Sequence, residues 1–185
     1  MALLGVVAAT AGKGEALTAA DVDRQAIADF LKGYKVVGDN STYLAAQFAT
    51  LASDQVGALT TAQMSALETA DLRSITTVAL AGLNSDQIKA LVSSEVAALT
   101  TNQIQSFSTD QLKGLETADL VTFSSSQVAA LTATQVVALN TDQIRAIESD
   151  DLRAMSNSSL QALTDPQLEA LSSTQIAGLA AKVTV

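Results

Sequence analysis

The chain contains no cysteine and no histidine, a single proline, and few aromatic residues: four phenylalanines, two tyrosines and no tryptophan. Without cysteine it has no disulfides and no thiolate metal sites. Without histidine or cysteine it also lacks the groups that usually form or activate a catalytic nucleophile. Glycine-rich phosphate-binding loops are absent from the sequence. We therefore expect a protein that is not an enzyme and that holds no cofactor.

Basic residues are scarce, because 10 lysines and arginines stand against 19 aspartates and glutamates, for a net charge of −9. Nucleic-acid binding requires a basic face, so we expect no nucleic-acid partner. The segment 120–141 carries no charge, but Ser, Thr, Gln and Asn interrupt it throughout. We therefore expect the chain not to span a membrane.

An eight-residue unit with the consensus Leu-Thr-Thr/Ser-Asp-Gln-Ile-x-Ala repeats sixteen times from Leu51 onward, without insertion or deletion. Places are counted from Leu51, so that place one recurs every eight residues as far as Leu179. Places one and six always hold a large apolar residue, and place eight is always small. The small residue predicts close approach of neighbouring helices.

Place three holds Ser or Thr in most units, with Asn157, Asp165 and Ala133 as the exceptions. Since Ser, Thr, Asn and Asp cap helix N-termini, this pattern predicts an N-cap at place three. Place five is Gln, Asp or Glu in fourteen units, which suits the first helical turn. Pro166 would then occupy the first helical position. Each octad is predicted to form a helix of about six residues, from place four to place one of the next unit, followed by a tight turn.

Two other architectures compete with this interpretation. In a continuous helix the apolar stripe would drift by about 80° per octad, which a coiled coil cannot absorb. A β-solenoid with two octads per rung remains an alternative, favoured by the short period and the abundant Thr. The Ala, Leu and Gln content and the few aromatics favour helices. Because so short a helix is unstable alone, we predict an all-α solenoid, or superhelix, of stacked octads.

The sequence predicts three regions. Residues 1–42 form an apolar segment and a helix capped by Thr18, which covers the first repeat; residues 43–179 form the solenoid; residues 180–185 are a tail. The apolar run Ala2–Ala9 lacks a basic leader, so we expect it to pack on the fold or on a neighbouring subunit rather than to act as a signal peptide.

The densest acidic cluster is Glu148, Asp150 and Asp151. A hard cation favours such oxygens. However, Asp150 and Asp151 fall at places four and five, where acids suit a helix start, so no metal site is predicted. Place seven is predicted to face solvent because it carries charged residues, namely Arg73, Lys89, Lys113, Arg145 and Arg153.

Units such as 131–138 (Leu-Thr-Ala-Thr-Gln-Val-Val-Ala) and 139–146 (Leu-Asn-Thr-Asp-Gln-Ile-Arg-Ala) resemble the tandem Leu-Thr-Thr-x-Gln-Ile-x-Ala arrays of large secreted or surface proteins of bacteria, described as adhesin-like. The resemblance covers residues 43–179. It implies an extracellular or cell-surface location and a structural or adhesive role, and it carries over no catalytic residue.

We expect a structural subunit that assembles head to tail into filaments, with a second copy of the chain as its partner. Two apolar ends would form the contact, and the candidate interface residues are Leu3, Leu4, Val6, Val7, Leu179, Val183 and Val185. The alternative is a monomeric adhesin-like spacer, or a module whose face binds a surface protein or glycan. Apolar residues at surface places would serve such a module, and the candidates are Val78, Val92, Val121 and Val137.

Overall fold

The protein is a stack of short α-helices in the computed structural model, which describes residue 46 and residues 48–183. No β-strand occurs in that part of the chain, so the all-α prediction is confirmed and the β-solenoid alternative is wrong. In chain order the helices are α1 Ser53–Gly57, α2 Thr61–Met64, α3 Thr69–Ser74, α4 Thr77–Leu80, α5 Ser85–Lys89, α6 Ser93–Ala98, α7 Thr101–Ser106, α8 Thr109–Leu112, α9 Thr117–Leu120, α10 Ser125–Ala130, α11 Ala133–Ala138, α12 Thr141–Ala146, α13 Ser149–Ala154, α14 Asn157–Gln161, α15 Asp165–Ala170 and α16 Ser173–Val183.

Each helix begins one residue earlier than the sequence predicted. The N-cap is place two, as at Thr132, whose side-chain oxygen accepts a hydrogen bond from the amide of Gln135, and place three is the first helical residue. Pro166 consequently stands second in its helix, after Asp165, and not first. The prediction was wrong because both places are rich in capping residues. The distinguishing feature is the glutamine, since a capping box sets the cap three residues before it.

The helices end where a buried apolar residue turns the chain away. Where place one is the C-cap residue, as at Leu131 with φ −63° and ψ 123°, its ψ angle has left the helical range. Its amide still donates to the carbonyl of Val128, three residues earlier, at 3.1 Å. Most helices therefore end after four to six residues, whereas α16 continues past Leu179 for a length of 11.

Successive helices wind into a superhelix in which each packs against the helix three units earlier, as α4 packs on α1 and α16 on α13. Hydrogen bonds between turns join residues 28 and 31 positions apart. Because 28 residues are three and a half octads, one superhelical turn takes between three and four units. The sequence pattern alone does not contain this number.

One continuous apolar core runs through the stack. It consists mainly of place-one and place-six side chains, and residues such as Ile104, Leu112 and Ile144 are fully buried. Short helices of this kind have no stability of their own, so burial against neighbouring turns holds them.

The small residues at place eight allow adjacent turns to touch through their backbones, as predicted. A Cβ atom built on Gly82 would lie 1.8 Å from the carbonyl oxygen of Ser53, and one on Gly114 would lie 2.4 Å from that of Ser85. At these two positions the requirement for glycine is steric, because backbone atoms fill the space of the missing side chain.

Several predictions for the termini lie outside the described residues. These are the packing of the apolar run Ala2–Ala9, the helix capped by Thr18, and the last two residues, 184 and 185, of the predicted tail. They remain predictions.

We expect Gly82→Ala to lower the free energy of unfolding by about 3 kcal/mol, since the added methyl group meets a backbone carbonyl that cannot move without separating two turns. The matched control is Gly178→Ala in α16, whose Cβ would sit 3.4 Å from its nearest neighbours, atoms of Arg153 and Ser149 in α13. That change should leave stability unaltered or raise it by up to about 1 kcal/mol, because alanine favours helix. Urea unfolding followed by circular dichroism measures both. Equal effects in the two variants would contradict the steric explanation.

Candidate functional site

The glutamine at place five closes the start of its own helix. In α11 the amide of the N-cap Thr132 donates to Oε1 of Gln135 at 3.0 Å, and the amide of Gln135 donates to Oγ1 of Thr132 at 3.3 Å. This reciprocal pair is a capping box, and it satisfies two of the backbone amides that a helix start leaves unpaired.

The same side chain also bonds to the preceding turn of the superhelix. Nε2 of Gln111 donates to the carbonyls of Leu80 at 2.7 Å and Leu83 at 2.8 Å. We call the set of glutamines with such bonds the glutamine ladder, and its members are Gln87, Gln103, Gln111, Gln127, Gln135, Gln143, Gln167 and Gln175.

Every member of the glutamine ladder is at most 4% exposed. A buried polar side chain must have its donors and acceptors satisfied. Only an amide at the end of two methylenes accepts on one side, donates twice on the other, and reaches both partners. The ladder therefore explains why place five is so often Gln.

Three exceptions at place five are satisfied in other ways. Oγ of Ser159 donates directly to the carbonyl of Leu131 at 2.8 Å. The carboxylates of Asp119 and Asp151 each accept from a serine hydroxyl 26 residues earlier, Ser93 and Ser125 respectively. An acid at place five is thus compatible with the stack when the preceding turn supplies a donor.

Two other acids at place five lack such a donor. Asp71 is 1% exposed and Glu95 is 2% exposed, and Oδ1 of the first and Oε1 of the second have no hydrogen-bond partner. Burial, with the Glu68 carboxylate as a second cause, raises the pKa of Asp71 from its ordinary 3.8 to about 6. Burial also raises the pKa of Glu95, and the hydrogen bond from the Val92 amide opposes this rise in part.

The acidic cluster considered for a metal has its own partners. Asp150 forms an ion pair with Arg153 at 3.4 Å, and Asp151 accepts from Ser125. Among residue 46 and residues 48–183, no group of three or more acidic side chains is placed to hold a metal ion.

The surface places have the exposure that the sequence predicted. Val78 is 76% exposed, while Val92, Val121 and Val137 are 45–51% exposed. The five basic residues at place seven are exposed as well.

The C-terminal end of the stack presents an uncovered part of the core. We define the C-terminal face as Leu160, Leu168 and Ile176, the last three place-six residues. Leu168 is 45% and Ile176 is 53% exposed, whereas place-six residues as far as Leu152 are at most 1% exposed. A groove of about 480 Å³ lies here, lined by Leu160 and Leu168 of the face together with Leu163, Leu179 and Lys182.

The C-terminal face is exposed because the following turn is what covers place six. Within the described residues, no further turn lies over the face. At its edge Nζ of Lys182 donates to the carbonyls of Arg153 at 2.8 Å and Met155, where a ladder glutamine would otherwise bond.

None of the helices in the described part is both long enough and apolar enough to cross a membrane.

The repeats of this chain match a known repeat family. The family model described as the ALTTAQ repeat matches residues 64–101, 112–146 and 144–181. The search of curated proteins and the search of solved structures gave no match.

We expect Gln127→Ala to lower the free energy of unfolding by about 2–4 kcal/mol. The change removes bonds to the carbonyls of Val96 and Leu99 and leaves buried backbone groups unsatisfied. The matched control is Gln105→Ala, because Gln105 has an exposed side chain at place seven, and its loss should change stability by no more than about 0.5 kcal/mol. Urea unfolding of both variants tests this difference. A loss of similar size at Gln105 would show that the ladder bonds are not its cause.

Proposed function

Since the chain belongs to the ALTTAQ repeat family, we propose that it is a non-enzymatic structural protein whose superhelices associate head to tail into filaments. The proposal places it at the surface of a bacterial cell or outside the cell. Its partner is a second copy of the same chain.

The observation that carries this proposal is the C-terminal face. Place six is buried in the described units as far as Leu152, partly buried at Leu160, and uncovered at Leu168 and Ile176. Exposed apolar surface that is continuous with a core favours association. A solenoid extends its core by adding a turn of the same kind, and a second copy supplies such a turn. Leu179, a residue of the predicted interface, lines the groove at this face.

The opposing surface in this proposal is the N-terminal end, where Leu3, Leu4, Val6 and Val7 stand in the sequence. These residues, with Val185 and the side chain of Val183, lie outside the described part of the structure. A contact between two different ends that continues the axis of the stack does not close on itself, so repeated addition produces a filament and not a ring.

Two features support a structural role outside the cell. The sequence has no histidine or cysteine for nucleophilic or acid–base chemistry, and its repeat resembles arrays in secreted or surface proteins of bacteria. Protease treatment of intact producing cells tests the location. Degradation of the protein without lysis is expected, and full protection would contradict it.

A binding module is the second candidate, and one contact favours it. Oγ1 of Thr122 lies 3.3 Å from the carbonyl of Ser93, which brings the preceding residues Val121 and Val92 to neighbouring positions on adjacent turns. Both valines are about half exposed, so they form a small apolar patch. If the protein remains monomeric, Val92→Ser with Val121→Ser would be the variant for testing partner binding.

We expect the double variant Leu168→Glu/Ile176→Glu to abolish association of the purified chain, because it places charge on the surface that a second copy must cover. The matched control is Val78→Glu, which adds the same charge at an exposed valine away from the C-terminal face. Light scattering at high protein concentration and negative-stain electron microscopy measure the outcome. Wild type and control should form long uniform fibres, and the double variant should form short rods.

Three results would overturn the proposal: a wild-type chain that is monomeric at high concentration, fibres in the double variant, or loss of fibres in the control alone. Circular dichroism of each variant verifies that the helices are intact. Because Leu168 and Ile176 are already half exposed, the substitutions leave the core of the preceding turns in place.

A further inference from the structure

Glu95 occupies place five, where most repeats have a glutamine. Its Oε2 accepts from the amide of Val92 at 2.6 Å, which is the capping contact that Oε1 makes in the ladder glutamines. Its Oε1 therefore stands where the others carry Nε2. That oxygen is buried and has no partner, and the residue is 2% exposed.

The register of the glutamine ladder identifies what place five of this unit faces. Every ladder glutamine except Gln87 donates to carbonyls 31 and 28 residues earlier, as Gln103 does to Leu72 and Ile75. For position 95 these carbonyls belong to Met64 and Leu67. A carboxylate oxygen against carbonyl oxygens is repulsive, whereas a neutral carboxyl group donates to them as an amide does.

Glu95 does not receive the hydroxyl hydrogen bond that other acids at place five receive. Asp119 and Asp151 receive a serine hydroxyl from 26 residues earlier. The residue 26 positions before Glu95 is Thr69, which is exposed and makes no hydrogen bond to Glu95. For Asp71 that residue is Ala45, which has no hydroxyl group. The missing donor leaves a proton as the remaining partner for the free oxygen.

We propose that the contact between α3 and α6 is a proton-operated joint, closed when Glu95 is neutral and loosened when Glu95 ionises. Asp71, the place-five residue of α3, acts in the same direction. The joint goes beyond the proposed assembly and does not depend on it.

The charged groups around the joint provide no neutralising cation. The elements packed against α6 are α3 and α9. Asp71 and Asp119 occupy place five of those helices, at spacings of 24 residues from Glu95, so one acid stands in each of three successive turns. Place five of neither neighbouring helix therefore supplies a cation to Glu95.

The remaining charges near these helices are at their ends and on the surface. Glu68 and Glu116 are the exposed N-cap residues of α3 and α9, and Glu116 is paired with Lys89 at 3.7 Å. Arg73 is exposed at place seven of α3, and no ion pair joins it to Glu95. Proton binding is therefore the route by which the buried charge is removed.

The sign of the pH effect follows from the raised pKa values. An unfolded glutamate releases its proton near pH 4.5, and folded Glu95 releases it at higher pH. Between these two values the folded chain binds more protons than the unfolded chain, so stability falls as pH rises. For Asp71 the corresponding window runs from 3.8 to about 6. Once both acids are ionised in both states, the effect is complete.

The test compares urea midpoints at pH 4.5 and pH 7 for wild type, Glu95→Gln and Glu169→Gln. Glu169 is an exposed glutamate at place seven, so its variant makes the same chemical change outside the joint. We expect the wild-type midpoint to fall between the two pH values, and Glu169→Gln to behave like wild type. Glu95→Gln should raise the midpoint at pH 7 and reduce the fall, and adding Asp71→Asn should reduce it further.

The reciprocal experiment introduces a buried acid at another place five. Gln103→Glu places a carboxyl group against the carbonyls of Leu72 and Ile75, so its midpoint should approach that of wild type at pH 4.5 and drop below it at pH 7. Hydrogen exchange at the Val96 amide locates the effect within α6. In wild type at pH 7, loosening of α6 should accelerate this exchange beyond the intrinsic effect of pH on exchange rates. Glu95→Gln should remove this additional acceleration. An unchanged midpoint fall in Glu95→Gln, or none added by Gln103→Glu, would overturn the proposal.

Discussion

A single side-chain amide couples the two length scales of this molecule. At place five the glutamine oxygen completes the cap of its own helix, and the nitrogen bonds to backbone carbonyls one superhelical turn away. Helices of four to six residues cannot persist alone, and a stack without directional bonds between turns would have no fixed register. Because one glutamine serves both purposes, the bonds that cap a helix and the bonds that hold it to the preceding turn form together.

The apolar rows and the small residues act within the frame set by that amide. Place one turns the chain, place six fills the space between turns, and Gly82 and Gly114 bring backbones into contact. Among the described helices the packing contacts join adjacent turns, so stability adds up from neighbouring units as it does in other solenoids. The acids at place five interrupt this uniformity, and the seryl hydroxyls of Ser93 and Ser125 restore it at two of them.

Much of the architecture is readable from the sequence because it depends on local chemistry. Capping residues, an apolar pair and a small residue in each octad predict short stacked helices. The N-cap was assigned one place late because both candidate places hold Ser or Thr, as at Thr60 and Thr61. The number of octads per turn, the second set of glutamine bonds and the isolation of Glu95 depend on contacts 24 to 31 residues apart. Leu152 and Leu168 occupy the same place in the repeat, and only position in the stack buries one and exposes the other.

The direction of the ladder bonds has a mechanical consequence. They join one turn to the next and so run along the axis of the superhelix, where each turn is held to the following one by a few side-chain amides and apolar contacts. A force that stretches the axis passes through these interfaces in series, and the weakest of them yields first. The released turn lengthens the molecule while the other turns keep their helices. Extension under force therefore proceeds in steps, and the molecule shortens again when the side-chain amides re-form their bonds.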